Sequence, residues 1–161
     1  LKADVPVLKN PAKRLAGQMV DKHVTIFGSG FMLPVARRWK TQLNEVAKAV
    51  ASFEAIPEAD HNTLAGICHP ANGLSRELAL FLRASADLSR NQLRVDLTRE
   101  IMMLEGIGTD FFTAKGSNRM EQMWTTILFG DYLAYYLAMA YEVDPTPIPP
   151  IADLKERMAQ Q

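Results

Sequence analysis

The sequence predicts an α/β fold, specifically a three-layer αβα sandwich with a mostly parallel sheet. Two observations support this prediction. Four short apolar segments that are typical of strands alternate with longer segments whose apolar residues recur every three or four positions, as on one face of a helix. Strands separated by helices imply right-handed crossovers, and therefore parallel strands covered by helices on both faces. The 161 residues suffice for one domain with a sizeable core.

The predicted strands are short and rich in β-branched and aromatic residues. The first runs into the Gly28-Ser29-Gly30 turn, and the third is continuously apolar, as expected of a strand that is covered on both faces. The four segments are 24–27, 52–56, 78–82 and 110–114. In an open parallel sheet, ligands bind beyond the carboxyl ends of the strands, so the Gly28-Ser29-Gly30 turn is expected near any site, or else is a plain strand-to-helix connection.

Five helices are predicted from capping signals and helical periodicity. Asn10 before Pro11 marks the start of the first, Ser89 with Gln92 suggests a capping box for the third, and Asn118 with Glu121 does so for the fourth. Apolar residues of the third helix recur at Leu93, Leu97, Ile101 and Leu104. The predicted ranges are 11–20, 33–50, 89–105, 118–141 and 151–158, the last following a proline-rich extended crossing.

Composition excludes several functional classes. Eighteen basic and eighteen acidic residues balance to zero without a basic block, which makes nucleic acid an unsuitable partner. The single Cys68 cannot form an internal disulfide, and three scattered histidines do not make a metal site, so we expect a reducing cytoplasm and no metal. No segment predicts export or membrane insertion. The first residue is not Met, which suggests a processed, trimmed or partial chain.

A carboxylate and an imidazole sixteen residues apart are the main catalytic candidates. Glu45 lies on the predicted second helix, away from the Trp39 stripe and on the side of Arg38; spacing alone favours a solvated, salt-bridged helix face. His61 follows the second strand in Pro57-Glu58-Ala59-Asp60-His61-Asn62, and alone it would be an ordinary loop histidine. Together they are the side chains that acid/base chemistry on a sugar requires.

The tract resembles the C-terminal sugar-isomerase (SIS) domain of bifunctional phosphoglucose/phosphomannose isomerases, a domain of flavodoxin-like topology. The family pattern Trp-Lys-x-x-x-Asn-Glu-x-x-Lys is matched by Trp39, Lys40, Asn44, Glu45 and Lys48. The resemblance implies that Glu45 is the catalytic base.

A second family pattern, Pro-Glu-x-Asn-His-Asn-Glu, is matched at Pro57, Glu58, His61 and Asn62. The chain departs from it at Asp60 and Thr63, and a negative charge at Asp60 is expected to favour protonated His61. The resemblance implies that His61 opens the sugar ring in the active site of a partner subunit, so that the enzyme is a homodimer with a shared site, and that Asn62 contacts substrate.

The C-terminal segment carries the last matches. Asp144-Pro145-Thr146 matches a family turn and Lys155 matches a lysine that reaches the sugar. The resemblance thus makes Lys155 catalytic and Thr146 and Arg38 substrate-binding. From the residues alone, Lys155 is also readable as a solvated lysine and Thr146 as a turn residue.

The implied reaction is aldose-ketose isomerisation of hexose 6-phosphates, between glucose or mannose 6-phosphate and fructose 6-phosphate, as in glycolysis and gluconeogenesis. It proceeds through a cis-enediol and needs no cofactor. The family's phosphate loop, Ser-x-Ser-Gly-x-Thr, is missing, so residues 1–161 are expected to be one SIS-like domain, the C-terminal half of a two-domain enzyme that is active only with its N-terminal domain.

Two other interpretations remain open at this point. The chain could be a non-catalytic phosphosugar-binding or regulatory domain, since one fold serves many functions. Alternatively, it could be a dimerisation half whose interface is the helix with Tyr132, Tyr135, Tyr136 and Met139, although an apolar helix is more often core.

Overall fold

A computed structural model describes residues 1–160 and contains a four-stranded, fully parallel sheet. The strands are β1 (His23–Ser29), β2 (Ala51–Ile56), β3 (Glu77–Arg83) and β4 (Gly108–Thr113), in the spatial order β2-β1-β3-β4. All four predicted strands are confirmed. The order reverses between β1 and β3, and this gap at their carboxyl ends is the switch point of the sheet.

Helices cover both faces, which confirms the predicted α/β class. They are α1 (Pro11–Met19), α2 (Leu33–Glu45), α3 (Ser89–Leu104), α4 (Arg119–Ala140) and α5 (Pro149–Ala159). The first, second and fourth helices pack on one face of the sheet over a core that includes Ile26 and Leu80. On the other face, α3 and the segment between β2 and β3 bury Phe27 and Phe81, whose rings stack with centroids 4.7 Å apart.

The packing of α2 on α4 depends on one tryptophan and one glycine. Trp39 is 1% exposed, and its indole N–H donates to the Thr126 carbonyl of α4 at 2.9 Å. A Cβ on Gly130 would lie only 2.3 Å from the Trp39 Nε1 atom. Gly130 therefore opens the space into which Trp39 inserts, and the buried indole stays hydrogen-bonded.

The second helix ends at Glu45, earlier than the predicted Val50. Lys48 adopts a left-handed conformation with φ of 56°, and the Ala49 N–H donates back to the Leu43 carbonyl at 3.1 Å. The Asn44 amide closes the same turn by donating to the Ala49 carbonyl at 2.8 Å. The helix therefore ends in a turn that contains a left-handed residue. Apolar periodicity does not indicate such an end.

The predicted start of α3 at Ser89 is confirmed, but its predicted cap is not, unlike those of α1 and α4. Asn10 and Asn118 cap their helices as expected, with Asn118 accepting from the Glu121 N–H at 3.0 Å. The predicted capping box at Ser89 is wrong, because Ser89 already lies inside the helix and makes no cap hydrogen bond. Its place is taken by Asp87, whose Oδ1 accepts the Leu88 N–H at 2.8 Å.

The apolar residues that predict α3 do not face the sheet. Val95, Thr98 and Met102 are buried against it, whereas the periodic residues Leu93, Leu97, Ile101 and Leu104 are exposed. The fourth helix is also divided, since Tyr136 is buried while Tyr135 and Met139 are exposed. Both helices therefore carry apolar surface that residues 1–160 leave uncovered.

The C-terminal segment follows the prediction of an extended crossing and a short helix. Residues 141–148 leave α4 without regular structure, and α5 has no buried residue. No helix within residues 1–160 combines the length and apolar character that a membrane crossing requires.

Candidate functional site

The switch point between β1 and β3 is where this fold usually takes a ligand, and here a carboxylate fills it. Asp87 Oδ2 accepts the Ser29 hydroxyl at 2.5 Å, and Asp87 Oδ1 accepts from Leu88 N and, at 3.3 Å, from the Asn91 amide. A Cβ on Gly30 would lie 2.6 Å from the same carboxylate. Two donors beside the start of α3, the Leu88 N–H and the Asn91 amide, thus bind the protein's own anion.

Glu45 lies at the opposite end of the molecule from the switch point. It is the last residue of α2, which runs back from the carboxyl edge of the sheet to the amino edge, before β2 begins. The half-buried side chain has no hydrogen bond or ion pair within residues 1–160. Asn44 and Lys48, which flank it, fix the backbone: Lys48 Nζ donates to the Glu45 carbonyl at 2.6 Å and to the Pro145 carbonyl at 3.2 Å.

The family residues around Glu45 therefore have structural tasks. Trp39 locks α2 onto α4, Asn44 closes the terminal turn, and Lys48 ties that turn to the segment before α5. Together they hold the end of the helix while leaving the Glu45 carboxylate without an intramolecular partner. The backbone at Glu45 is therefore held in place, whereas its carboxylate has no hydrogen-bond partner within residues 1–160.

His61 is presented by a short, well-anchored segment at the carboxyl end of β2. Its backbone N–H donates to the Glu58 carbonyl at 2.9 Å, while its exposed imidazole makes no hydrogen bond within residues 1–160. The Asn62 amide donates to Glu58 Oε1 at 2.8 Å, and Asn62 Oδ1 accepts the Thr63 N–H. Asn62 thereby rigidifies the turn beside the imidazole.

Asp60, one of the two departures from the family pattern, binds α3. Its Oδ1 accepts the hydroxyl of buried Thr98 at 2.7 Å, and its Oδ2 lies 3.9 Å from Arg94 Nε. Thr63, the other departure, donates its backbone N–H and its hydroxyl to Asn62 Oδ1. These contacts fasten the histidine segment to α3, a link that nothing in the spacing of Asp60 and Thr98 indicates.

The structure does not bring Glu45 and His61 together within one chain. Glu45 precedes β2 and His61 follows it, so the extended strand lies between them. Six residues of strand span about 17 Å, several times the reach of a proton transfer. The two side chains therefore lie at opposite edges of the sheet.

The remaining predicted residues lie near the amino ends of the strands or are exposed on helices. Thr146 is in a turn closed by the Asp144 carboxylate at 2.9 Å, next to the Lys48 contact and hence to the end of α2. Lys155 is exposed on α5. Arg38 lies in α2 and its guanidinium faces Asp131 of α4 at 3.4 Å, a pairing that sequence spacing does not reveal.

Three cavities, of about 620, 480 and 350 Å³, are not lined by the catalytic candidates Glu45, His61 and Lys155. One of about 350 Å³ lies under the segment after β2 and is lined by Glu54, His69, Glu77 and apolar side chains, without a lysine or arginine to hold a phosphate. The cavity of about 620 Å³ lies between α1, α4 and β4, and the one of about 480 Å³ is lined by Lys22, His23 and Lys48 near the end of α2. Residues 1–160 contain no group of three or more His, Cys, Asp or Glu side chains placed to hold a metal ion.

Comparisons with known proteins agree on one family. The family model described as bacterial phospho-glucose isomerase C-terminal SIS domain matches residues 8–158. A bifunctional phosphoglucose/phosphomannose isomerase of Caldicellulosiruptor bescii is 35% identical over 99% of this chain and 47% of its own length. One of Aquifex aeolicus is 27% identical over 98% of this chain and 49% of its own length.

A solved structure extends the agreement to the fold. A glucose-6-phosphate isomerase like protein from Thermus thermophilus superposes with a TM-score of 0.75 at 27% identity, over 88% of this chain and 47% of that one. The chain thus spans about half the length of these relatives. With the signature residues around Glu45 and His61 in place, the chain belongs to the bacterial phospho-glucose isomerase C-terminal SIS domain family.

Proposed function

We propose that this chain is the C-terminal domain of an aldose-ketose isomerase that interconverts glucose 6-phosphate or mannose 6-phosphate with fructose 6-phosphate. The observation that carries the proposal is the Glu45 carboxylate, which is unpaired at the end of α2 while Asn44 and Lys48 hold the backbone around it. Homologues that share this tract are named phosphoglucose/phosphomannose isomerases.

In the proposed reaction, Glu45 moves one proton between two neighbouring carbons. With the sugar ring open, its carboxylate removes the proton from C2, the C1 carbonyl oxygen takes up a proton from water to become a hydroxyl, and a cis-enediol forms. Return of the first proton to C1, while the C2 hydroxyl gives its proton back to water, forms the ketose. His61, assisted by Lys155, opens the ring by protonating the ring oxygen and taking the hydroxyl proton from O1.

The active site is shared between two copies of the chain. Because β2 separates Glu45 from His61 by about 17 Å, one substrate molecule meets both side chains only if they come from different chains. Both side chains lack hydrogen-bond partners within residues 1–160, as expected if they meet across the interface between two subunits. Lys155 and Thr146 contribute to the same site as Glu45 of their own chain, because the Lys48–Pro145 contact holds the C-terminal segment near the end of α2.

The phosphate is held outside this chain. Asp87 occupies the helix start where the fold would bind it, and a carboxylate repels phosphate. The missing half of the relatives' length is the natural source of the phosphate loop. Asn62 and Arg38 complete the proposed substrate contacts, and Arg38 has to leave Asp131 to make its contact. The exposed, unpaired Cys68 fits a reducing cytoplasm.

The test is Glu45→Gln in the complete protein that carries this chain. The glutamine keeps the shape of the side chain and removes the base, so kcat is expected to fall at least about a thousandfold while KM changes little. Turnover near the wild-type rate would exclude Glu45 as the base. Tight fructose 6-phosphate binding by the 161-residue chain alone would instead favour the non-catalytic sensor, which the Asp87 contacts argue against.

A further inference from the structure

Lys48 occupies a backbone position that favours glycine. It follows the end of α2 with a φ of 56°, where a Cβ crowds the next carbonyl and every residue except glycine costs stability. The backbone closes this turn without help from the lysine, because the Ala49 N–H donates to the Leu43 carbonyl. A strained residue that the turn does not require points to a use for its side chain.

The Lys48 ammonium joins two carbonyls from distant parts of the chain. It donates to the Glu45 carbonyl at 2.6 Å, as a lysine at a helix C-terminus commonly does, and also to the Pro145 carbonyl at 3.2 Å. Both contacts are exposed, so their loss is expected to cost little folding stability. The lysine therefore connects two parts of the chain more than it stabilises the fold.

The Pro145 contact is the main attachment of the C-terminal segment. Within residues 1–160, it is the only hydrogen bond or ion pair that joins residues 144–160 to the rest of the chain; the Thr146 N–H and the Arg157 guanidinium bond inside the segment. The fifth helix buries no residue. The position of this segment relative to Glu45 thus depends largely on one ammonium group.

We propose that Lys48 is a positioning residue for the isomerisation, an inference that rests on the proposed function. Its ammonium sets the separation between the Glu45 base and the segment that carries Thr146 and Lys155, and it touches no reacting atom. Reacting groups have to be held closely, because a displacement of about 1 Å can lower a rate about a hundredfold. The strained lysine is kept for this positioning at the expense of stability.

The first test compares Lys48→Met and Lys48→Gly in the complete protein that carries this chain. Both variants lack the ammonium, but only glycine relieves the backbone strain, so its Tm should lie about 2 °C above that of Lys48→Met. In both, kcat is expected to fall at least about tenfold while KM stays within about threefold of wild type. If Lys48→Gly regains kcat together with Tm, Lys48 acts through stability and the proposal is wrong.

Two further variants separate the ammonium from the backbone. Lys48→Arg keeps N–H donors at the position and should retain kcat within about threefold of wild type. Asp21 is also left-handed, with a φ of 59°, and bonds to Tyr141 through its backbone N–H, so Asp21→Gly should keep the wild-type kcat. An arginine variant as slow as Lys48→Met, or an equal loss in Asp21→Gly, would overturn the proposal.

The last test needs no turnover. Without substrate, backbone amides of residues 144–160 in Lys48→Met are expected to exchange hydrogen for deuterium at least about fivefold faster than in wild type, while those of β1 stay unchanged. Unchanged exchange in that segment overturns the positioning role even if kcat falls. Turnover by Glu45→Gln would instead overturn the base assignment, so the two failures are distinguishable.

Discussion

The Ser29 hydroxyl donates to the Asp87 carboxylate at 2.5 Å, across the gap between the carboxyl ends of β1 and β3. This hydrogen bond joins the two loops at the switch point, and the same carboxylate also holds the first turn of α3. The position where this fold would take a phosphate is therefore part of the protein's own framework.

Asp87→Ala is expected to lower the free energy of unfolding by about 2–3 kcal/mol, because it leaves Ser29, the Leu88 N–H and the Asn91 amide without their acceptor. Urea denaturation followed by circular dichroism measures the change. The control is Asp153→Ala, which removes an exposed carboxylate paired with Arg157 and should cost less than about 0.5 kcal/mol. Equal losses for the two variants would contradict a framework role for Asp87.

Gly130→Ala should destabilise the protein although alanine is the better helix former. The new Cβ would meet the Trp39 indole, so α2 has to shift on α4 at a cost of about 1–3 kcal/mol. Gly17→Ala in α1, where nothing lies within 4 Å of the new methyl group, is the matched control. It should raise the free energy of unfolding by about 0.5–1 kcal/mol. Thermal unfolding is expected to show a lower Tm for Gly130→Ala and a higher Tm for Gly17→Ala than for wild type. A higher Tm for Gly130→Ala would mean that the space around Trp39 accepts a methyl group.

Inactive variants are expected to complement each other if the site is shared. In the complete protein, Glu45→Gln and His61→Gln are each inactive, but a mixed dimer contains one site with both native residues. After unfolding and refolding an equal mixture, half of the dimers are mixed, so about a quarter of the wild-type activity should return. A coupled assay measures the recovery, with each variant refolded alone as the control. No recovery would place Glu45 and His61 in the same chain's site.

Glu121 is expected to make the stability of the α4 start depend on pH. Hydrogen bonds from Ser117, first its backbone N–H and then its hydroxyl, and from Asn118 hold the pKa of Glu121 below its ordinary value of 4.5. A lowered folded-state pKa stabilises the protein above the ordinary value, and this contribution disappears as the pH falls through the lowered value.

Glu121→Gln retains an acceptor oxygen but removes the charge. Its urea midpoint should lie below that of wild type at about pH 7, and the difference should vanish in strong acid. Glu156→Gln on α5, an exposed helix with no buried residue, serves as the control. If the difference in urea midpoint between Glu121→Gln and wild type stays constant from about pH 7 to about pH 3, the charge of Glu121 is not the source of that difference.

Much of the fold could be predicted from local signals. The four strands are short apolar runs, and Asn10 before Pro11 and Asn118 before Glu121 mark helix starts through chemistry confined to a few residues. The end of α2 could not be predicted in this way, because it depends on the left-handed Lys48 and on hydrogen bonds to Ala49 and Pro145. Ser89 is a misleading cap signal because Asp87 is already placed to hold that helix.

The sequence by itself determined the four strands and the five helices, although short 3-10 turns and not a helix connect β2 to β3. Its signature residues identified Glu45 and His61 as the catalytic candidates. The predicted strand 52–56 already separates the two in the sequence. Only the tertiary structure decided that α2 ends at Glu45, because its terminal turn depends on the left-handed Lys48 and on the Lys48–Pro145 contact. It also decided that Asp87 fills the anion position and that Leu97 faces outward, since both depend on how α3 packs on the sheet. Periodicity shows that a helix has an apolar face, but packing selects which face is buried.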